Sequence, residues 1–191
     1  TGLLKYIFNL LKEEYSAELE LLHAVVPEID TIPCMKFMDA KELLMKKFKY
    51  NPTDMKDFDP QEEEMLGKYA KKEFNSDFIF ITHYPSKKRP FYTMDDPEDP
   101  EYTLSFDLLF RGLEITSGGQ RVHDYNEQVA KMEKLGMNPE EFATYLMLHK
   151  YGAPPHGGLG LGLERLTMHL LGAKNVREAT MFPRDINRVA P

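Results

Sequence analysis

The segment GGLGLGLERL, residues 157–166, limits this chain more than any other. A dinucleotide fingerprint needs glycine at the sixth place of G-x-G-x-x-G, and counting from Gly160 that place is Arg165. From Gly158 it is Leu163, and no G-K-S or G-K-T ending makes a P-loop. A flexible linker does not interleave leucines with its glycines. A β-strand remains, with side chains alternating between faces. That reading puts Leu159, Leu161 and Leu163 on a core face and leaves the face of Gly158, Gly160 and Gly162 bare. Glycines inside a strand mark close approach of a ligand or of another backbone, and the pattern leaves both open. Arg165 follows at the strand end, where a planar cation can stack on a base or meet a phosphate.

Apolar residues at three- and four-residue steps predict an amphipathic helix over 3–22. Residues 26–36 read as irregular. A helix is expected from MDAKELLMKKF, with Asp39 as N-cap and Glu42 three residues on. Another is expected after Asp59, where Pro60 takes the first helical position and acids fill the first turn. The texture changes at 77: DFIFITHY is strand-like, and the charged, proline-rich 87–103 is a loop. LSFDLLFRGLEITSGGQRVH reads as two strands turning near Arg111-Gly112, followed by helices at about 125–135 and 139–150. Hairpin-joined strands are antiparallel. The expected fold is α+β, with helices on one antiparallel sheet and no break for a second domain.

Asp107 and Glu114 fall on the two arms of that hairpin. A turn centred on Phe110-Arg111 places them opposite each other, and a shifted register makes them diagonal neighbours. Carboxylates so close repel unless a cation lies between them, and Mg²⁺ held by one or two carboxylates plus substrate phosphates suits the pair. Two solvated edge acids are the plain alternative. Arg121, beyond Gly118-Gly119, suits bidentate capture of a carboxylate, or a structural ion pair with Asp107 or Glu114. Together these residues suggest an amino acid and a nucleoside triphosphate meeting on one sheet.

Composition excludes other classes. The formal net charge of −7 argues against a general nucleic-acid coat, leaving FPRDINR (182–188) as one small basic patch. No apolar run reaches the roughly 18 residues that span a membrane, and no secretory leader is evident. Cys34 is the only cysteine, so no intramolecular disulfide forms; it reads as a buried small apolar group in a reducing cytosol. The six histidines show no zinc spacing; His123 and His156 lie near the site as polar contacts or as structural side chains.

GGLGLGLERL resembles the third signature motif of the class II aminoacyl-tRNA synthetases. FDLLFRGLEITSGGQRVHD, KYGAPPHGGLGLGLERL and FPRDINRVAP resemble the aspartyl branch of archaeal and eukaryotic kind, closely over 75–191 and loosely before it. The resemblance implies an antiparallel sheet flanked by helices. It implies activation of an amino acid by ATP with Mg²⁺, then transfer to tRNA, in a cytoplasmic homodimer. By that resemblance Glu114 holds Mg²⁺ and ATP, Asp107 is the second metal acid, and Ser117 lies near the metal and the amino acid. Arg121 grips the side chain of a bound aspartate, and Gly162, Leu163, Glu164 and Arg165 form the ATP segment, with Arg165 at the γ-phosphate and adenine.

The family's first and second motifs and its anticodon-binding barrel have no counterpart in these residues. Residues 1–191 therefore read as the C-terminal portion of a catalytic domain, inactive by itself. Asparagine is the rival substrate, because Arg121 suits either side-chain oxygen. A synthetase-like paralogue without tRNA charging is the third reading.

Overall fold

The computed structural model describes residues 1–190. Among the described residues seven α-helices and five strands follow one another: α1 Gly2–Glu14, α2 Ser16–Leu21, β1 Cys34–Lys36, α3 Phe37–Lys47, α4 Pro60–Phe74, β2 Phe78–Thr82, β3 Ser105–Phe110, β4 Leu113–Arg121, α5 Tyr125–Lys134, α6 Ala143–Lys150, β5 His156–Leu161 and α7 Leu163–Leu171. The strands form one sheet in the order β1-β2-β3-β4-β5. All neighbours are antiparallel except β1 and β2, which run parallel. The α+β architecture matches the expectation; the parallel edge strand, inside a segment expected to be irregular, does not.

Period-two alternation divides the apolar residues between the two faces. On one face Phe78, Leu108, Phe110 and Ile115 pack with Leu4 and Phe8 of α1 and Leu166 and Leu170 of α7. Phe78 and Phe110 stack there with ring centroids 4.5 Å apart. On the other face Ile79, Ile81 and Leu109 pack under Phe37, Ala40 and Leu44 of α3 and Leu66 and Ala70 of α4. This second helical layer covers β2 and β3 but leaves β4 and β5 open.

Local chemistry explains most boundaries. Asp59 caps α4 in a full capping box: its side chain accepts from the Gln61 and Glu62 amides, and Glu62 accepts in return. Asp39, the other expected cap, lies inside the first turn of α3, which follows Lys36 with no side-chain cap. The single helix expected over 3–22 breaks at Tyr15. The β3–β4 turn has φ of 49° at Arg111 and 80° at Gly112, the two-residue hairpin geometry that matches strand twist. Arg111 holds that conformation because its guanidinium donates to the Val25 and His169 carbonyls and meets Asp77. Cys34 is exposed rather than buried, since its strand lies at the sheet edge.

The glycine strand ends sooner than expected. Leu161 packs against the core, but Leu159 is exposed and Leu163 opens α7 facing outward. Gly162 is the N-cap; its amide donates to the Ile115 carbonyl at 2.8 Å and its carbonyl receives the Leu166 amide. The edge position of β5 leaves Leu159 without a covering layer.

Candidate active site

Strand register assembles the site. Asp107 pairs with Ser117, Ser105 with Gly119, Gly119 with Gly158, Ser117 with Gly160 and Arg121 with His156. By alternation these positions share the sheet face that α3 and α4 leave open. Leu109 pairs with Glu114 while Leu108 pairs with Thr116, so Ile115 is an unpaired bulge residue. Without that extra residue Glu114 and Ser117, three apart, would point to opposite faces; the bulge brings both to the site and sends Ile115 and Thr116 inward. Asp107 and Glu114 are therefore diagonal neighbours, not the directly opposed pair that a turn at Phe110-Arg111 would give.

A cavity of about 310 Å³ opens on this face, lined among others by Arg89, Tyr92, Ser117, Arg121, Gly158 and Gly160. Glycine makes the room. A Cβ on Gly158 would lie 2.9 Å from Nη2 of Arg121, whereas one on Gly160 would meet nothing within 4 Å. The bare glycine face thus admits a guanidinium and leaves open floor beyond it. Arg121 lies over the Tyr92 ring, 5.0 Å from its centroid. Among the described residues no carboxylate stands within 4.0 Å of Arg121, so the structural ion pair with Asp107 or Glu114 is not formed. The site contains a cation with its carboxylate-binding edge free.

Arg89 takes the place expected of Arg121 at the acids. Its Nη2 donates to Asp107 Oδ2 at 2.7 Å and its Nη1 to Ser117 Oγ at 3.0 Å, and its guanidinium stacks 3.8 Å over Tyr84. The sequence hid this residue in a proline-rich loop, eighteen positions before its partner. Glu63 was hidden too: its carboxylate accepts the Glu114 amide at 2.9 Å from α4. Burial pushes the Glu63 carboxyl up to about 7; the Glu114 charge adds to the rise, while the Glu114 amide and Arg165 oppose it. Burial first, then the Asp107 charge, raises the Glu114 carboxyl above its usual range.

Asp107 Oδ1 is buried with no hydrogen-bond partner. An orphaned carboxylate oxygen beside a second carboxylate that feels its charge is an arrangement a hard dication relieves. Among the described residues no three Asp, Glu, His or Cys side chains gather into a metal cage. The residues thus fit Mg²⁺ in the form that leaves most coordination to substrate phosphates and water.

Arg165 lies in the first turn of α7. Its Nη1 donates to the Glu114 carbonyl at 2.8 Å and stands 4.0 Å from the Glu114 carboxylate, with half its side chain exposed. Glu164 and Leu163 are exposed beside it. His156 is opposite Arg121 in register, its ring nitrogen 2.9 Å from the Pro154 carbonyl. His123 does not line the cavity, and its Nδ1 is buried without a partner.

Residues 1–186 match the family model for class II tRNA synthetases of the D, K and N type, so the chain belongs to that family. It is 49% identical to an aspartate–tRNA(Asp/Asn) ligase of Thermus thermophilus, over 91% of this chain and 40% of that protein. An Entamoeba histolytica aspartyl-tRNA synthetase superposes with a TM-score of 0.91 at 36% identity, covering all of this chain and 40% of the other. The asparaginyl-tRNA synthetase of the same organism superposes at 0.86 and 29% identity, covering all of this chain and 44% of the other. The chain spans about two fifths of the length of the curated relatives it matches. No helix is long and apolar enough to cross a membrane among the described residues.

Proposed function

We propose that residues 1–191 are the C-terminal portion of the catalytic domain of an aspartate–tRNA ligase, which activates aspartate with ATP and passes it to tRNA. The observation that carries this reading is Arg121, a cation without a carboxylate partner, set over Tyr92 in a glycine-floored cavity next to the Asp107–Glu114 pair. A fixed guanidinium fork receives a carboxylate in two parallel hydrogen bonds, which matches the side chain of aspartate. The curated relatives support the same reading by name, as aspartate–tRNA ligases.

In this account Arg121 orients aspartate so that its α-carboxylate oxygen faces the α-phosphorus of ATP. That oxygen attacks, the bond to the bridging oxygen breaks, and pyrophosphate leaves; no protein nucleophile takes part. Glu114 and Asp107, with Ser117 beside them, would hold Mg²⁺, which would supply positive charge against the triphosphate. Arg165 meets the γ-phosphate and adenine from the α7 turn, where Gly162, Leu163 and Glu164 shape the nucleotide's approach. Catalysis is positioning and electrostatic stabilisation. Residues 1–191 by themselves are catalytically incomplete, and the whole enzyme is a cytoplasmic homodimer.

The test is ATP–pyrophosphate exchange by the full-length protein with aspartate and with asparagine. Exchange with aspartate alone is expected. Exchange with asparagine alone makes the protein an asparaginyl enzyme, and silence with both makes it a paralogue with another use for the site. The Thermus relative's name covers both tRNAs, which favours a second reading: aspartate loaded onto tRNA(Asn) as well as tRNA(Asp). Charging of each purified tRNA decides that point.

A further inference from the structure

Glu63 belongs to α4, a helix whose visible work is to cover β2 and β3, yet its carboxylate leaves the core to reach the acid pair. The helix is placed there by a contact between two glycines. A Cβ on Gly67 would lie 2.6 Å from the Gly112 Cα, and one on Gly112 would lie 2.8 Å from the Glu64 Cα. Only two residues without side chains allow the helix axis to touch the β3–β4 turn backbone to backbone. That contact fixes α4 in rotation and in height. Glu63 precedes Gly67 by four residues, so it shares that face of the helix one turn earlier. Glu114 follows Gly112 by two. The glycine lock therefore carries the Glu63 carboxylate to the Glu114 amide, 2.9 Å away.

The amide it reaches is a special one. Glu114 begins the bulge that turns its side chain into the site alongside Ser117. Bulges disturb the ladder and re-aim side chains, and their direction is set by whatever satisfies the displaced backbone. Here the amide of Glu114 is held by Glu63 and its carbonyl by Arg165. Both ends of the peptide frame are fixed by side chains from helices on opposite sides of the sheet.

We propose that Glu63 is a positioning residue for divalent-metal binding: by holding the Glu114 amide across the bulge, it aims the Glu114 carboxylate at the metal and triphosphate. The inference rests on the reading of Asp107 and Glu114 as the Mg²⁺ pair. Among the described residues Glu63 forms no three-acid cage with Asp107 and Glu114, and what it holds is the Glu114 amide.

The test compares Glu63→Ala and Glu63→Gln in the full-length protein. Glutamine keeps an acceptor oxygen for the Glu114 amide, and alanine does not. The primary readout is Mn²⁺ affinity in the presence of ATP, followed by electron paramagnetic resonance; amide hydrogen exchange of the Glu114 segment reports the hydrogen bond itself. Alanine is expected to speed amide exchange at Glu114 and to weaken Mn²⁺ by about tenfold or more, the usual loss for a partner that orients a metal ligand. Glutamine is expected to keep slow amide exchange and stay within about threefold of wild type in Mn²⁺ affinity, as retention of that orienting bond requires. Faster amide exchange in the alanine variant with unchanged Mn²⁺ affinity would make Glu63 a merely structural contact and overturn the proposal. A glutamine variant that keeps slow amide exchange yet binds Mn²⁺ as weakly as alanine does would overturn it too, because charge and not the hydrogen bond would then be at work. Absence of ATP–pyrophosphate exchange in the wild type would sink the ligase reading alone, since the metal and amide readouts do not need the reaction.

Discussion

One face of the sheet holds two regions built by opposite rules. Beneath α3 and α4, the buried charge is paired within the chain. Lys41 is fully buried, and its Nζ donates to both Glu62 oxygens at 2.7 and 2.8 Å and to the Asp54 and Asp57 carbonyls, over the Phe58 ring. From Asp107 on β3 out across β4 and β5, polar groups are left open. Arg121 has no carboxylate, Asp107 Oδ1 has no donor, and glycines replace the side chains that would fill the space. A buried charge that folding requires is satisfied within the chain, whereas a buried charge left free is available to a ligand. The difference separates what stabilises this domain from what it binds with.

Substitutions sharpen that contrast, the largest effect first. Removing Arg121 as Arg121→Leu takes away a ligand contact and, within the chain, only its cation–π contact with Tyr92. Loss of a partner for a buried carboxylate costs about 2–5 kcal/mol, so kcat/KM for aspartate should fall by a factor between about 30 and several thousand. The unfolding midpoint should stay at the wild-type value. A matching drop in stability would show that Arg121 belongs to the closed region after all.

Lys41→Met should do the reverse. It strands the Glu62 carboxylate in the core and should cost about 3–5 kcal/mol in denaturant unfolding. Adding Glu62→Leu should recover part of that loss, since an apolar pair replaces an ion pair at little cost while the Asp59 amide loses its capping-box acceptor. If the double variant stays as unstable as the single one, the carbonyls that Lys41 serves matter more than its charge partner.

The glycines divide in the same way. A Cβ at Gly118 would lie 2.7 Å from the Gly158 carbonyl oxygen and 2.8 Å from Phe106, both fixed by the sheet. Gly118→Ala should lose about 1–3 kcal/mol through overpacking. Gly160 faces open space, so Gly160→Ala should change stability by no more than about 0.5 kcal/mol, as other surface changes do. Equal losses at both positions would mean that the cavity floor is closed in solution.

The smallest effect is a pH dependence at Glu63. Its carboxyl is raised from an ordinary 4.5 to about 7, so between these values the folded chain holds a proton that the unfolded chain releases. Stability therefore falls as pH rises through that window, and the loss is complete above it. Glu63→Gln removes the ionisation while keeping an acceptor. It should gain on wild type at pH 8 and show no gain near pH 4, by less than about 1 kcal/mol because the group is partly screened by water. A larger gain at the acidic end would reverse the sign of the shift.

Sequence patterns revealed what is local. The Asp59 cap and the Arg111-Gly112 turn depend on neighbours within a few residues and stand where expected, and the glycine strand forms but ends before Leu163. Asp107, Glu114 and Arg121 are legible as charged residues on the two arms of one hairpin, whereas Ser117 is singled out only by the family resemblance. Contacts made across the fold were hidden. β1 has only three residues, too few for a period, and its pairing needs a crossover through α3 and α4. Glu63 is 51 residues from the amide it holds, and Arg89 meets Asp107 only when the loop folds back over β3 and β4. The bulge at Ile115 also escaped notice, since alternation alone assigns Glu114 to the wrong register.

The central claim is that the open half of this face receives an aspartyl group on Arg121. Calorimetric binding of a non-hydrolysable aspartyl-adenylate analogue to the full-length protein, beside Arg121→Leu and an asparaginyl analogue, tests it directly. The account predicts tight binding of the aspartyl compound, weaker binding of the asparaginyl one, and loss of the aspartyl preference in the variant. Equal binding of both compounds, unchanged when Arg121 is removed, would contradict it.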